Sequence, residues 1–194
     1  HIGARTDTTE FNVDIFNELN LNYSKSIWSL CVEFGLPLVY ASSAATYGNG
    51  EHGYKDDHAT IPILQPLNPY GDSKHQFDLW ALAQERKPYF WAGLKFFNVY
   101  GPNEAHKGTM ASVAYHFYNQ YQSQGKVRPF CGSGGYGNGE QRRDFVFVED
   151  VVRVNLWFYD HPDRSGIFNL GTGRAQSFND VALAVVNAGR LAAG

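Results

Sequence analysis

Nothing in this chain of 194 residues approaches the unbroken apolar run that a membrane span requires. Basic residues are in no excess: 16 Lys and Arg stand against 19 Asp and Glu, a net charge of −3. That balance argues against a nucleic-acid scaffold, which carries a basic stripe. Cysteine is scarce. Cys31 and Cys131 lie far apart and form neither CxxC nor a disulfide framework, so both are read as small buried residues. The histidines show no HExxH and no paired ligand spacing, and no metal is expected. Repeats and low-complexity segments are absent. Also missing is the strand, Gly-rich turn and helix that open a dinucleotide-binding fold. Gly132-Ser133-Gly134-Gly135-Tyr136-Gly137 spells GxGxxG, but the residues after it do not form an amphipathic helix. A phosphate needs a helix N-terminus behind such a turn, so the stretch reads as a flexible loop. The chain begins at His1 inside a structural pattern and stops soon after its last helix, so residues are expected to be missing at both ends.

What is present is a chain with 43% hydrophobic residues, enough for a substantial core. Apolar Ile15, Phe16, Leu19, Tyr23, Ile27, Leu30 and Phe34 recur at three- and four-residue steps and predict a helix from about Thr9 to Phe34. Gly35 and Pro37 stop it. Leu38 to Ala41 reads as a short buried strand, and Ser42 to Leu67 as a polar loop. Asn68 caps and Pro69 opens a helix that runs to about Lys87. Strands are expected at Phe90–Phe97, Val127–Phe130, Asp144–Val148 and Gly166–Leu170. Helices are expected at Thr109–Gln124, Glu149–Tyr159 and Ser177–Asn187. Strands alternating with helices imply an α/β fold with a parallel sheet covered by helices.

Tyr70-Gly71-Asp72-Ser73-Lys74 is a YxxxK, and residues four apart on a helix share a face. A neighbouring cation favours the phenolate and so can lower a tyrosine pKa. A phenolate poised nearer neutrality can take a proton from an alcohol while a hydride leaves the same carbon. With twelve tyrosines in the chain, chance produces this spacing in roughly four such chains in ten. The ordinary alternative is a surface pair. Context matters more. Ser42-Ser43-Ala44-Ala45-Thr46-Tyr47-Gly48 follows one expected strand, and Asn98-Val99-Tyr100-Gly101-Pro102 follows the next. Open α/β sheets bind ligands at such carboxyl ends.

Taken together, these segments resemble the extended short-chain dehydrogenase/reductase superfamily. Three stretches complete the resemblance: Asn68 to Lys74, Arg143-Asp144-Phe145-Val146-Phe147-Val148-Glu149-Asp150-Val151, and Phe168-Asn169-Leu170-Gly171-Thr172-Gly173. They cover nearly the whole chain in a specific order. Within the superfamily, His106-Lys107-Gly108-Thr109-Met110-Ala111-Ser112-Val113-Ala114 is similar to the ADP-L-glycero-D-manno-heptose 6-epimerase branch. So are His1 to Ala4, Thr8 to Glu10, Asn155 to Phe158 and Ser165 to Ala175.

The resemblance implies the C-terminal part of a Rossmann-like doubly wound parallel sheet plus a smaller substrate-binding domain. Residues 1–102 and 143–172 would form the dinucleotide-binding domain, and 103–142 and 173–194 the substrate domain. It implies an isomerase that oxidises C6 of an ADP-heptose and reduces it again. Tyr70 would be one acid/base and Lys107 the other, on opposite sides of the carbon. Ser43 would bind near the reacting carbon, and Lys74 would hold the nicotinamide ribose and tune Tyr70. Gly3, Ala4, Asn20, Lys74, Val99 and Lys107 would line the cofactor, NADP or NAD, with NADP favoured. Ser43, Asn98, Thr109, His116, Phe130, Ser133 and Arg143 would contact the ADP-sugar, arginine being suited to a phosphate. A cytoplasmic homo-oligomer acting on ADP-heptose is implied, with no nucleic acid or membrane as partner. The chain by itself is expected to bind cofactor poorly and be inactive.

There are departures from the pattern. Ile2 stands where a carboxylate is expected and Arg5 where a small residue is usual, and the Gly132–Gln141 segment is longer than expected. Two alternatives stay open. One is a sugar-nucleotide 4-epimerase or 4,6-dehydratase, although Ala44-Ala45-Thr46 offers no acidic group beside the serine. The other is a non-catalytic nucleotide-binding scaffold or sensor.

Overall fold

The computed structural model describes residues 1–193. Its helices and strands in chain order are α1 (Val13–Phe16), a π-helical turn (Asn17–Asn22), α2 (Tyr23–Glu33), β1 (Leu38–Ser43), α3 (Pro69–Ala83), β2 (Trp91–Phe96), β3 (Asn98–Tyr100), α4 (Val113–Gln124), β4 (Arg142–Phe147), α5 (Val148–Asp160), β5 (Gly166–Leu170), β6 (Ala175–Ser177) and α6 (Phe178–Ala193). Tight 3-10 turns occupy Ala44–Tyr47, His58–Ile63 and Ala105–Met110. The chain packs as two compact units, His1–Phe96 with Arg153–Leu170, and Phe97–Val152 with the segment from Gly171 on. No helix among the described residues is long and apolar enough to cross a membrane.

The first unit is built on a parallel sheet of order β1-β2-β5. Ser43 is level with Phe96 and Phe96 with Leu170, so the three carboxyl ends lie side by side. Beside β1, Ala41 N donates to His1 O at 3.0 Å and the His1 amino group donates to Val39 O at 2.7 Å. The other edge is closed by side chains. Ile167 N donates to His58 Nε2 at 2.9 Å, and Asn169 N donates to Asp56 Oδ1, which occupies edge groups open to another strand. Trp28, Tyr40, Phe77, Trp91 and Ile167 fill the core, with ring centroids 5.2 Å apart for Trp28–Trp91 and 4.9 Å for Tyr40–Phe77.

In the second unit β3 pairs parallel with β4, and β4 pairs antiparallel with β6. Phe130 and Phe145 both pack on Phe178, and Phe130 also meets Phe117. Asp144 accepts from Thr172 N and Gly173 N, which ties β4 to the turn after β5.

Several expected boundaries move for physical reasons. The first helix starts at Val13, because Asp7 accepts from Thr9 N and Oγ1, Glu10 accepts from Asn12 N, and Asn12 caps the helix. Its buried face is Phe16, Asn20, Ser24, Trp28 and Cys31, while Leu19, Tyr23, Leu30 and Phe34 are exposed. The π turn adds a residue to one turn and rotates the face. The helix at Pro69 ends at Ala83 rather than Lys87, with Gln84 already in extended backbone at ψ 133°. The helix expected from Thr109 starts at Val113, capped by the Ser112 hydroxyl. Strand β1 continues to Ser43, and the expected loop after it contains two 3-10 turns.

Val127–Phe130 is not a strand: Pro129 has no N–H to offer, and Arg128 N is taken by Gln120 Oε1. The strand expected at Asp144–Val148 spans Arg142–Phe147, and the helix after it spans Val148–Asp160. The last helix is Phe178–Ala193 rather than Ser177–Asn187. Short β3 and β6 were not expected, and β6 makes its sheet mixed rather than parallel. Cys31 is buried, but Cys131 is exposed, directly after the segment that was expected to be a strand. Gly166–Leu170 forms as expected.

Gly93 lies opposite Tyr40 in the register of β1 and β2. A Cβ on Gly93 would stand 2.4 Å from the Tyr40 ring. Gly93→Ala is therefore expected to destabilise the protein by about 1–3 kcal/mol through overpacking, read as a lower midpoint in denaturant. An unchanged midpoint would show that Tyr40 moves aside freely.

Candidate active site

β1 delivers Ser43 to the carboxyl edge of the first sheet. There Ser43 Oγ accepts from Ala45 N at 3.1 Å and caps the turn Ala44–Tyr47. The adjacent Ser42 faces the other way and donates to Asp78 Oδ2 at 2.7 Å. Of the two serines, Ser43 is the one available to a ligand.

α3 supplies the other groups. Its Asn68 cap accepts from Gly71 N at 2.8 Å, which places Tyr70 in the first turn. Gly71 is needed there, because a Cβ would come within 2.9 Å of Ala45 O. The Tyr70 hydroxyl lies near enough to Ser43 for that side chain to bear on its acidity. Lys74, one turn on and 7% exposed, donates from Nζ to Ala41 O at 2.8 Å. Tyr70, Ser43 and Lys74 thus meet at the end of β1, as their sequence positions suggested.

The charge states differ from expectation. Burial pushes the Tyr70 hydroxyl above its ordinary value, and the nearby Ser43 hydroxyl only partly offsets this. Lys74 does not lower it, because the ammonium is turned to the Ala41 carbonyl. Burial also pulls Lys74 down to about 8, with the Asp78 carboxylate opposing. Each group is pushed toward its uncharged form by the same cause, removal from water.

Asn20 is buried in the π turn, and both of its amide N–H groups are used. Nδ2 donates to Arg5 O at 3.0 Å and to Ser73 Oγ at 2.9 Å, while Oδ1 accepts from Arg5 N at 2.7 Å. It clamps the backbone next to Gly3 and Ala4 to α3, and would serve a cofactor through that segment. Gly3 is open, a Cβ there meeting Tyr23 only at 3.7 Å.

The second unit holds the remaining candidates. Asn98 and Val99 are in β3, with Asn98 exposed. Lys107 sits in the turn Ala105–Met110, its side chain 41% exposed and its Nζ 3.4 Å from Glu104 Oε2. Gly108 kinks this turn with φ 55° and ψ −126°, a backbone that favours glycine. Thr109 is exposed, and its carbonyl lies 3.3 Å from His116 Nε2. Phe130 is half exposed but packs on Phe117 and Phe178. Ser133 Oγ accepts from Gln141 Nε2 at 3.3 Å. Arg143 is exposed, its Nη1 donating to Arg142 O. The Gly132–Gly137 stretch is a turn-rich loop with no helix behind it, as expected. Among the described residues there is no cluster able to hold a metal.

Three residues that the sequence did not single out organise these groups. Asp78 and Lys95 form a buried ion pair at 2.7 Å. The signals were a lysine inside the apolar strand Trp91–Phe96 and a carboxylate four residues after Lys74. Glu104, 3% exposed, gathers the Lys107 loop around its carboxylate. Oε1 accepts from Gly101 N at 3.0 Å and from Ser112 Oγ at 2.7 Å, and Oε2 accepts from Ser112 N at 2.8 Å. These bonds hold its carboxyl below the usual range although burial works against them. Glu104→Ala would leave these donors unpartnered, a loss of about 2 kcal/mol. It should also speed amide exchange at Gly101 and Ser112 at least about tenfold. Unchanged protection would show that the loop holds its shape without the carboxylate.

The residues at the end of β1 fit the nicotinamide end of a dinucleotide. Lys74 is a buried cation with one protein acceptor among the described residues, which leaves donors for sugar hydroxyls. Among the described residues there is no helix-backed Gly turn for a pyrophosphate. The NAD dependent epimerase/dehydratase family matches residues 2–171. An ADP-L-glycero-D-manno-heptose-6-epimerase of Thiobacillus denitrificans is 53% identical over the whole chain, which covers 58% of that protein. The enzyme of the same name from Fusobacterium nucleatum is 49% identical, over 97% of this chain and 58% of its own length. The crystal structure of the Helicobacter pylori ADP-L-glycero-D-manno-heptose-6-epimerase matches with a TM-score of 0.81 at 30% identity, over 96% of this chain and 56% of that one. The chain therefore spans a little over half the length of these relatives, and it belongs to the NAD dependent epimerase/dehydratase family.

Proposed function

We propose that the protein is a sugar-nucleotide epimerase that inverts C6 of the heptose in ADP-D-glycero-D-manno-heptose, by transient oxidation to a ketone and re-reduction with bound NADP or NAD. The observation that carries this reading is the placing of Tyr70 and Ser43 beside the buried Lys74 at the end of a parallel strand. The identity to two heptose epimerases supports the choice of substrate, and the preference for NADP rests on resemblance alone.

Oxidising a secondary alcohol removes a hydride from carbon and a proton from oxygen. The nicotinamide cofactor supplies the hydride acceptor and donor. Tyr70 Oη exchanges the proton with the C6 oxygen, and Ser43 Oγ shares that hydrogen bond. Burial keeps Tyr70 as the neutral phenol near pH 7, which suits the half-reaction that returns a proton. The other half-reaction needs the phenolate, which the Lys74 ammonium one helical turn away would favour only on turning from the Ala41 carbonyl toward Tyr70. Gly3, Ala4 and Val99 would line the cofactor, with Asn20 fixing the first two through Arg5. Asn98, Thr109, His116, Phe130, Ser133 and Arg143 would contact the ADP-sugar.

Lys107 serves as the second acid/base in this reading and belongs to a different packing unit. Two acid/bases suit inversion, because hydride must return to the opposite face. Residues 1–102 and 143–172 carry the dinucleotide function, and 103–142 and 173–194 the substrate function. The same reading makes the protein a cytoplasmic homo-oligomer.

Incubated with ADP-D-glycero-D-manno-heptose and cofactor, the complete protein should interconvert the two C6 epimers. Tyr70→Phe should lower kcat by about 10²–10⁴ with little change in KM. No interconversion would sink the reading. Faster turnover of a UDP- or dTDP-sugar would favour a 4-epimerase or dehydratase, and tight binding without turnover a scaffold.

A further inference from the structure

We propose that the buried Asp78–Lys95 pair is a positioning pair for the reactive face of α3: it pins that face to the end of β1, and the Asp78 carboxylate is the counter-charge of the Lys74 ammonium. This rests on the reading of Tyr70 and Lys74 as the reactive pair.

Tyr70, Lys74 and Asp78 follow each other at four-residue steps along α3, so they share one face. Asp78 is 0% and Lys95 1% exposed. Asp78 Oδ1 accepts from Tyr40 Oη at 3.0 Å, and Oδ2 accepts from Ser42 Oγ and Lys95 Nζ, each at 2.7 Å. Lys95 Nζ also donates to Thr46 Oγ1 at 2.7 Å and stands 5.3 Å from the centre of the Tyr47 ring. The partners therefore come from β1, the turn after it, and β2. Ser43 lies inside this cage: Ser42 precedes it, and Thr46 Oγ1 donates to Ser43 O at 2.8 Å. Lys74 Nζ bonds Ala41 O in the same strand end.

The titratable groups around the pair are Asp72, Lys74 and His75 on α3, Tyr40 on β1, Tyr47 in the turn and Lys95 on β2. From flanking segments, the His1 amino group feels the Lys74 charge and Asp56 acts on Tyr47. Among them, Asp78 is the carboxylate whose charge offsets the burial of Lys74. A pair that merely filled the core would disturb Lys74 alike whichever partner was removed. A counter-charge predicts opposite effects. Without Asp78, Lys74 faces an uncompensated Lys95; without Lys95, Asp78 acts on Lys74 alone.

The test is the titration of the Lys74 side chain in the complete protein, by NMR of 15N-lysine-labelled samples, with the signal assigned by its loss in Lys74→Arg. The wild type should titrate near about 8. Asp78→Asn should move the midpoint down by about one unit, Lys95→Met should move it up, and Lys95→Arg should leave it unchanged. Shifts of the same sign in Asp78→Asn and Lys95→Met, or no shift, would overturn the proposal. If one of the two variants does not fold, the other decides: a midpoint moved in its stated direction supports the counter-charge, and an unmoved or oppositely moved midpoint overturns it. The measurement needs no turnover, so a wild type inactive on the ADP-sugar would refute the proposed function and leave this result standing.

Discussion

An ammonium and a carboxylate 2.7 Å apart, both sealed from water, constrain the first packing unit. Taking two charges out of water costs several kcal/mol per ion, and only good geometry with further hydrogen bonds repays it. Here the further bonds are present, from Tyr40, Ser42 and Thr46. Losing one partner would leave a bare buried charge, at a cost of about 3–5 kcal/mol. Such an arrangement tolerates little sliding of α3 along β1. The Ser43–Tyr70 contact and the seat of Lys74 inherit that precision, because both lie within two helical turns of Asp78.

A related device recurs in the second unit. Glu104 is buried and takes donors from Gly101 and Ser112, closing the loop that carries Lys107. A carboxylate is well suited to this, since its two oxygens accept several bonds at once. An amide in the same place would turn a donor toward Gly101 N or Ser112 N. Each unit thus buries a carboxylate in the element that carries a candidate lysine: Lys74 is buried, whereas Lys107 remains substantially exposed.

Local signals were the readable part of the sequence. Asn68-Pro69 opens α3 where expected, because a cap and a first-turn proline act within a few residues. The run at Gly166 forms β5 as read. The first helix was recognised, but its buried face was not. A π turn leaves no mark in three- and four-residue spacing, so Leu19 and Leu30 seemed inward while Asn20 and Ser24 are the buried residues. Val127–Phe130 looked like a strand by composition, yet Pro129 and a captured Arg128 N–H exclude it. Tyr70, Ser43 and Lys74 could be brought together from sequence because each sits at a helix start or strand end. The ion pair could not, since Asp78 and Lys95 belong to different elements and meet only in the folded sheet. Spacing shows a lysine one turn from Tyr70, but not that its ammonium bonds the Ala41 carbonyl or that burial raises the Tyr70 hydroxyl.

The functional account turns on oxidation at carbon rather than removal of a proton from carbon. A hydrogen that leaves C6 as hydride stays out of contact with water, whereas one that leaves as a proton exchanges with it. The most direct measurement is therefore turnover of ADP-D-glycero-D-manno-heptose by the complete protein in deuterium oxide, with mass analysis of the product sugar. The account predicts inverted product with no deuterium at C6. Deuterium at C6 in step with inversion would contradict it.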